Sequence, residues 1–249
     1  MKIEICCGSY EDVLAAQAGG ADRAELCSAL FFGGLSPSAG TFLMAQETGL
    51  PIAAMVRPRE GGFCYSGAEF ETMCRDAEFF IEHGAEGIVF GCLNRDGTVD
   101  EEKTAILCAL AGGRCKAVFH RAFDLCKTPA EETAEQLYRL GVGRILTSGK
   151  RAAAAEGAAV IAALRRQMAG RMEILPGSGI RPHTVARLLA ETGCDQIHAS
   201  ALEDACDPTA LLCPEIPFTG LRAPAQGVYR VGSAEKTAAL VAAAREGSR

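Results

Sequence analysis

A short pattern recurs along this sequence: a helix-like stretch ends at a glycine, and a run of apolar, strand-forming residues follows within a few positions. Copies begin at Gly20, Gly84, Gly141 and Gly193. Glycine is the usual residue where a helix ends in a left-handed turn. The distance between copies is roughly the length of one strand and one helix, so the pattern predicts a chain built from repeated βα units.

Between the N-terminus and about residue 200, eight strand-like segments alternate with helical segments. Strict alternation favours a parallel sheet, and eight units of this length favour an α/β fold of the (β/α)8, TIM-like barrel type. The segment at about 201–231 lacks clear periodicity, which predicts an irregular loop before a last helix at about 233–245. We predict one barrel domain over residues 1–249.

Composition excludes several classes of protein. The 249 residues are 49% hydrophobic and carry a formal net charge of −6, which argues against a nucleic-acid binder. No apolar stretch is long enough to span a membrane. The N-terminus leads directly into the strand-like residues 2–7 without a signal-peptide pattern, so the sequence predicts a cytoplasmic protein with no membrane partner.

Twelve cysteines are present, and none forms a C-x-x-C motif. Zinc-finger and thioredoxin-like sites are therefore not expected. Cys6 and Cys27 occupy matching places on two neighbouring predicted strands, which would lie about 5 Å apart. Two thiolates at that separation could bind Cu(I), and the alternative is a pair of buried thiols.

Polar residues cluster where the predicted strands end, which is where TIM-like barrels carry their active sites. The stretch 116–124 is an example, because an apolar strand runs into His120 and Asp124, which share a face if the strand continues that far. His120 or Glu25 is the candidate base, Arg57 the candidate anion clamp, and Asp124 could orient His120. The candidate catalytic residues are Glu4, Glu25, Arg57, His120, Asp124 and His198.

Two features leave alternatives open. Glu4 and Glu25 point into the predicted barrel, where they serve either acid/base chemistry or a purely structural ionic network. The glycine-rich turn at residues 176–180, together with Ser200, suits a phosphate group or is only a tight turn. The spacing of its glycines does not fit a dinucleotide-binding fingerprint, so no organic cofactor is implied.

Several motifs together resemble the CutC family, which is named for copper homeostasis. They include Met55-Val-Arg-Pro-Arg59, Phe119-His-Arg-Ala-Phe-Asp124 and Pro176-Gly-Ser-Gly-Ile180, and they occur in order from the first strand to the eighth. The resemblance implies a cytoplasmic TIM-like barrel that forms a homo-oligomer (dimer or tetramer). It also implies a role in copper tolerance, with Cys6 and Cys27 as Cu(I) ligands. An enzyme that acts on a small-molecule ligand remains the alternative.

Overall fold

The structure is a computed structural model that describes residues 1–213, 215–216 and 226–247. Eight of its strands form one parallel sheet. In chain order they are Lys2–Cys7 (β1), Arg23–Leu26 (β2), Ile52–Met55 (β3), Gly87–Phe90 (β4), Lys116–Phe119 (β5), Arg144–Thr147 (β6), Glu173–Pro176 (β7) and Gln196–Ala199 (β8).

Helices alternate with these strands along the chain. They are Tyr10–Ala18 (α1), Ala39–Glu47 (α2), Gly67–Glu82 (α3), Glu101–Ala111 (α4), Ala122–Leu125 (α5), Ala130–Arg139 (α6), Ala158–Gln167 (α7), Pro182–Thr192 (α8) and Ala234–Glu246 (α9). Side-chain caps mark several helix starts, including those of Ser9 at α1, Ser38 at α2 and Asp100 at α4. Ser66 and Glu69 form a capping box at the start of α3.

The sheet closes almost completely into a barrel. Each strand pairs with the next along the chain from β1 to β7, and β8 pairs with β1. Strands β7 and β8 lie at the two ends of this order. The predicted (β/α)8, TIM-like barrel is therefore confirmed, and the carboxyl ends of its strands form one mouth.

Strand β1 illustrates how the sequence sorts its side chains. Ile3, Ile5 and Cys7 are buried in the large hydrophobic core that includes residues of the surrounding helices. Cys6, of opposite parity, packs instead against the smaller cluster inside the barrel. Because side chains alternate along a strand, Glu4 shares the inward face with Cys6.

An ionic network fills the barrel towards the amino ends of the strands. Arg144 is only 1% exposed and pairs with Glu86 at 2.9 Å and with Glu173 at 2.6 Å. Arg23 pairs with Glu4 and reaches Glu86 at 3.6 Å. Buried charges need such partners, because an unpaired one carries a large desolvation cost.

Two predicted boundaries differ from the structure. Strand β5 ends at Phe119, and the short helix α5 begins at Ala122, so Asp124 does not continue the strand. The segment predicted as an irregular loop at about 201–231 contains two antiparallel strands, Leu202–Cys206 (β9) and Val228–Gly232 (β10). Residues 214 and 217–225 of that predicted loop lie outside the described residues.

Candidate active site

A cavity of about 310 Å³ opens at the carboxyl ends of the barrel strands. Four of the predicted catalytic residues line it, together with one of the two predicted metal ligands. Its lining includes Cys6, Glu25, Arg57, Phe63, His120, Arg121, Ser178, Gly179, Arg181, His198 and Ser200.

His198, on β8, is held from below by Glu4. The imidazole Nδ1 lies 2.7 Å from Glu4 Oε1 and donates its proton to that carboxylate. Arg23 binds the other oxygen of Glu4. Burial alone would raise the pKa of Glu4, but the hydrogen bond from His198 and the charge of Arg23 lower it to about 2. Glu4 is therefore a carboxylate that fixes the orientation of His198.

The other ring nitrogen of His198 faces Glu25. Nε2 lies 3.8 Å from Glu25 Oε2, which is a charge contact rather than a hydrogen bond. Burial opposes protonation of His198, but Glu25, Cys6 and Glu4 outweigh it and raise the pKa of His198 well above its usual range. Burial likewise raises the pKa of Glu25 to about 8, although His198 opposes that rise. The carboxyl of Glu25 thus changes charge close to neutral pH.

Cys6 and Cys27 meet beside Glu25. One ligand atom from each of these three residues lies within 4.8 Å of the other two. The Cys27 thiol donates to Glu25 Oε2 at 3.6 Å. The interaction between the two thiols lowers the pKa of Cys6 to about 5, although burial opposes this change. The same interaction raises the pKa of Cys27 well above its usual range. The donor set fits a soft monovalent ion, since one thiolate and a second thiol face each other.

His120 follows β5 and is buried in the cavity wall. Its Nδ1 accepts a hydrogen bond of 3.1 Å from the backbone N–H of Ala122, so the ring proton sits on Nε2. The Phe63 ring packs against the imidazole at a tilt of 52°, with a centroid distance of 4.7 Å. Burial, aided by the charge of Arg57, lowers the pKa of His120 to about 3. His120 is therefore a neutral imidazole that can donate through Nε2.

Arg57 was predicted to clamp an anion, but its terminal nitrogens already have partners. They donate to the carbonyl oxygens of Phe32 and Gly34 at 3.0 Å and of Gly61 at 2.8 Å. The guanidinium also lies over the Phe63 ring, 5.2 Å from its centroid. Arg57 thus ties two loops to the end of β3, and only its Nε remains without a partner in the described part of the chain.

Asp124 does not contact His120, contrary to the predicted orienting role. Its carboxylate accepts from the backbone N–H groups of Ser148 and Lys150 at 3.0 Å and from the Ser148 hydroxyl at 2.9 Å. Arg121 pairs with it at 2.9 Å. The reason is helix α5, which turns the chain away from the strand direction before Asp124 is reached. Asp124 organises the loop after β6.

The glycine-rich turn after β7 lies at the cavity rim. Ser178 and Gly179 both adopt positive φ, at 80° and 71°. The Ser178 hydroxyl donates to the carbonyl of Ala152 at 2.8 Å, so it is engaged within the protein. Ser200 also lines the cavity. A phosphate at this turn stays a prediction.

Comparison with known proteins shows the family to which the chain belongs. The sequence profile of the CutC family matches residues 1–203. The chain belongs to the CutC family. A family protein CutC from Treponema denticola is 43% identical over 242 residues, which are 97% of this chain and 98% of the relative. A second, from Chromobacterium violaceum, is 46% identical over 200 residues, or 80% of each chain.

A solved CutC structure has the same fold. The crystal structure of a protein from Streptococcus agalactiae, described as a candidate copper homeostasis protein CutC, superposes with a TM-score of 0.75. Its sequence is 31% identical, and the match covers 80% of this chain and 98% of that one. In the described part of the chain, no helix is long and apolar enough to cross a membrane.

In this CutC chain, strand periodicity brought together Glu4, Cys6, Glu25 and His198, on β1, β2 and β8. It missed two residues that shape the site. Phe63, in the loop after β3, covers both Arg57 and His120 without any strand signal. Gly91 makes room for His120, because a Cβ at Gly91 would lie 2.5 Å from the imidazole Cε1. In the sequence, the only indication of this close approach was the glycine directly after β4.

Proposed function

We propose that this CutC chain is an enzyme that acts on a small anionic or sugar-like substrate by acid/base chemistry at the barrel mouth. One observation carries the proposal. His198 is fixed by Glu4 at 2.7 Å and faces Glu25 at 3.8 Å, at a cavity on the carboxyl edge of the barrel. Titratable groups held in mutual contact at such a cavity are typical of proton-transfer sites.

The three groups take different roles in this proposal. Glu25 lines the cavity and has a pKa of about 8, so it can give or accept a proton near neutral pH. His198 also lines the cavity and carries positive charge, which stabilises a neighbouring anion. Glu4 is absent from the cavity lining and acts as a positioning residue, because it holds His198 through Nδ1.

Cationic side chains at the rim support an anionic substrate. Arg181 lines the main cavity and also a second one of about 330 Å³, whose lining includes Arg230 and Lys236. Arg230 is paired with Asp204 at 2.6 Å. Arg181 takes part in none of the ion pairs found among the described residues, and its guanidinium bonds only to the carbonyl of Ile180. Its charge is available to a ligand.

A thermal-shift screen tests the proposal. Sugar phosphates, sugar acids and keto acids are added to the purified protein, and at least one is expected to raise the melting temperature. A ligand at about 100 times its Kd stabilises a folded protein by about 2.7 kcal/mol. The variant His198→Gln should lose the shift, and the exposed-residue control His183→Gln should keep it. A screen without any stabilising compound, or an undiminished shift in His198→Gln, contradicts the proposal.

A second function is supported by the thiols: binding of Cu(I) by Cys6 and Cys27 in copper homeostasis. Their sulfur atoms lie within 4.8 Å of each other, close enough for one two-coordinate ion. The low pKa of Cys6, about 5, supplies a thiolate at neutral pH. A reducing cytoplasm would keep both thiols available. This role needs neither Glu4 nor Arg181, which the enzyme proposal uses.

Anaerobic titration of the reduced protein with Cu(I) in the presence of a chromogenic chelator tests the second function. The double variant Cys6→Ser, Cys27→Ser should lose the tight site. A matched double variant of exposed cysteines, Cys64→Ser with Cys206→Ser, should keep it. Equal affinities in the two double variants would rule out Cys6 and Cys27 as the ligands.

A further inference from the structure

Three buried side-chain atoms around the cavity have no hydrogen-bond partner among the described residues. They are Glu25 Oε1, Arg57 Nε and His120 Nε2. All three residues line the same cavity, and each is at most 5% exposed. Buried polar atoms in folded proteins nearly always have a partner. Seven buried side-chain atoms lack one in the described part of the chain, and these three belong to residues that line the same cavity, which favours a ligand that supplies their partners.

The three atoms divide into two chemical kinds on different parts of the wall. Glu25, on β2, offers a carboxyl oxygen. Arg57 and His120 follow β3 and β5, and both contact the Phe63 ring, at 5.2 Å and 4.7 Å. Each of these two offers an N–H donor, because the Nδ1 of His120 accepts from Ala122 and leaves the proton on Nε2. The ligand therefore needs an atom that accepts hydrogen bonds from the N–H groups of Arg57 and His120. It also needs a group that interacts with the carboxyl of Glu25.

A neutral imidazole beside a guanidinium is suited to an oxygen that gains negative charge during a reaction. The imidazole donates a hydrogen bond but holds its own proton, while the guanidinium adds positive charge. A carbonyl oxygen that becomes an enolate oxygen changes in this way. The carboxyl of Glu25, which lines the same cavity, is then the base available for the carbon next to that carbonyl.

We infer that the substrate is a small hydroxy-carbonyl compound and that Glu25 removes a proton from the carbon next to its carbonyl group, while His120 and Arg57 stabilise the enolate oxygen. This inference rests on the proposed enzyme function and names its substrate class.

The step balances without a co-reactant. The C–H bond breaks, its proton passes to Glu25 Oε1, and its electron pair forms a C=C bond. The carbonyl π pair moves to the oxygen, which His120 Nε2–H and Arg57 Nε–H then contact. Return of a proton to the same carbon restores the compound or its epimer. Return to the neighbouring carbon, with the hydroxyl proton passing from one oxygen to the other, gives the isomer.

Hydrogen exchange with solvent tests this inference. The protein is incubated in D₂O with ribose 5-phosphate, glucose 6-phosphate, dihydroxyacetone phosphate, hydroxypyruvate and the dephosphorylated sugars. Proton NMR measures the loss of signal from the hydrogens on the carbon next to each carbonyl. At least one compound should exchange faster than in buffer. The rate should fall by about 100-fold or more in Glu25→Gln, which removes the base, and in His120→Phe, which removes a donor to the enolate oxygen, because each kind of group contributes at least this much. His120→Gln, which keeps an N–H donor, should retain more of the rate than His120→Phe.

Matched controls are Glu102→Gln and His183→Gln, which change the same residue types at exposed positions. Both should exchange at the wild-type rate.

Wild-type exchange no faster than buffer, or full exchange in Glu25→Gln, overturns the inference. If Glu25→Gln does not fold, full exchange in His120→Phe overturns it equally. If polar compounds stabilise the protein in the thermal-shift screen but none exchanges hydrogen, this inference fails and the proposed function stands. If none binds, both fail.

Discussion

Glu4 Oε1 and His198 Nδ1 lie 2.7 Å apart, and this hydrogen bond joins β1 to β8 across the place where the barrel begins and ends along the chain. The same carboxylate binds Arg23 and reaches Arg144 at 4.0 Å. One buried carboxylate therefore connects the candidate site with the ionic network below it.

Replacing Glu4 by glutamine should lower the free energy of unfolding substantially. Arg23 would keep its charge in a buried position without its main partner, and removing one member of a buried ion pair costs about 3–5 kcal/mol. Urea unfolding at pH 7 measures the loss. The matched control is Glu71→Gln, which breaks an exposed pair with Arg75 and should cost less than about 1 kcal/mol. Similar midpoints for the two variants would contradict the structural role of Glu4.

His120 should make the protein less stable in acid. Its pKa is about 3 in the folded protein, against 6.5 for the free side chain. Below pH 6.5 the unfolded chain binds the proton and the folded one does not, so stability is lost as the pH falls towards the folded pKa. Burial is the main cause of this low pKa; the charge of Arg57 also opposes protonation, and that of Asp124 favours it.

The comparison of wild type with His120→Gln tests this pH dependence. The free energy of unfolding of the wild type should fall more steeply between pH 6.5 and pH 4, because glutamine does not titrate. His183→Gln should follow the wild type, since His183 is exposed. Parallel curves for the wild type and His120→Gln would mean that folding does not lower the pKa of His120.

The period of two along a strand was sufficient to predict which residues of β1, β2 and β8 face the barrel interior. Glu4 and Cys6 point inwards and Cys7 points to the helices, because β1 remains regular over its whole length. The same rule failed for Asp124. Parity holds only while the backbone stays extended, and the chain turns into α5 at Ala122. The sequence offered no sign of that turn.

The role of Arg57 could not be predicted for a different reason. Its partners are backbone carbonyl oxygens of Phe32, Gly34 and Gly61, and every residue has a carbonyl. Only the path of the loops decides which carbonyls an arginine meets. The charge of a side chain at a strand end predicts that it lies near the mouth, but not whether its donors are free for a ligand.

Gly91→Ala should displace His120. A Cβ at Gly91 would lie 2.5 Å from the imidazole Cε1 and 2.6 Å from the Ala122 Cβ, closer than carbon atoms approach without strain. Forced overpacking of this kind costs about 1–3 kcal/mol. The melting temperature should fall, and ligand-induced stabilisation should fall with it. Gly62→Ala is the control, because nothing lies within 4 Å of its added Cβ. Unchanged ligand binding in Gly91→Ala would mean that the position of His120 does not matter for the site.

Arg57→Lys should loosen two loops while the barrel stays folded. A lysine ammonium cannot reproduce the fork with which Arg57 reaches the carbonyls of Phe32, Gly34 and Gly61 at 2.8–3.0 Å. Hydrogen exchange measured by mass spectrometry should become faster in peptides that cover residues 28–36 and 59–64, and should stay unchanged in β4 and β6. Arg75→Lys, on an exposed face of α3, serves as the control. Unchanged exchange in both loops would show that their order does not depend on Arg57.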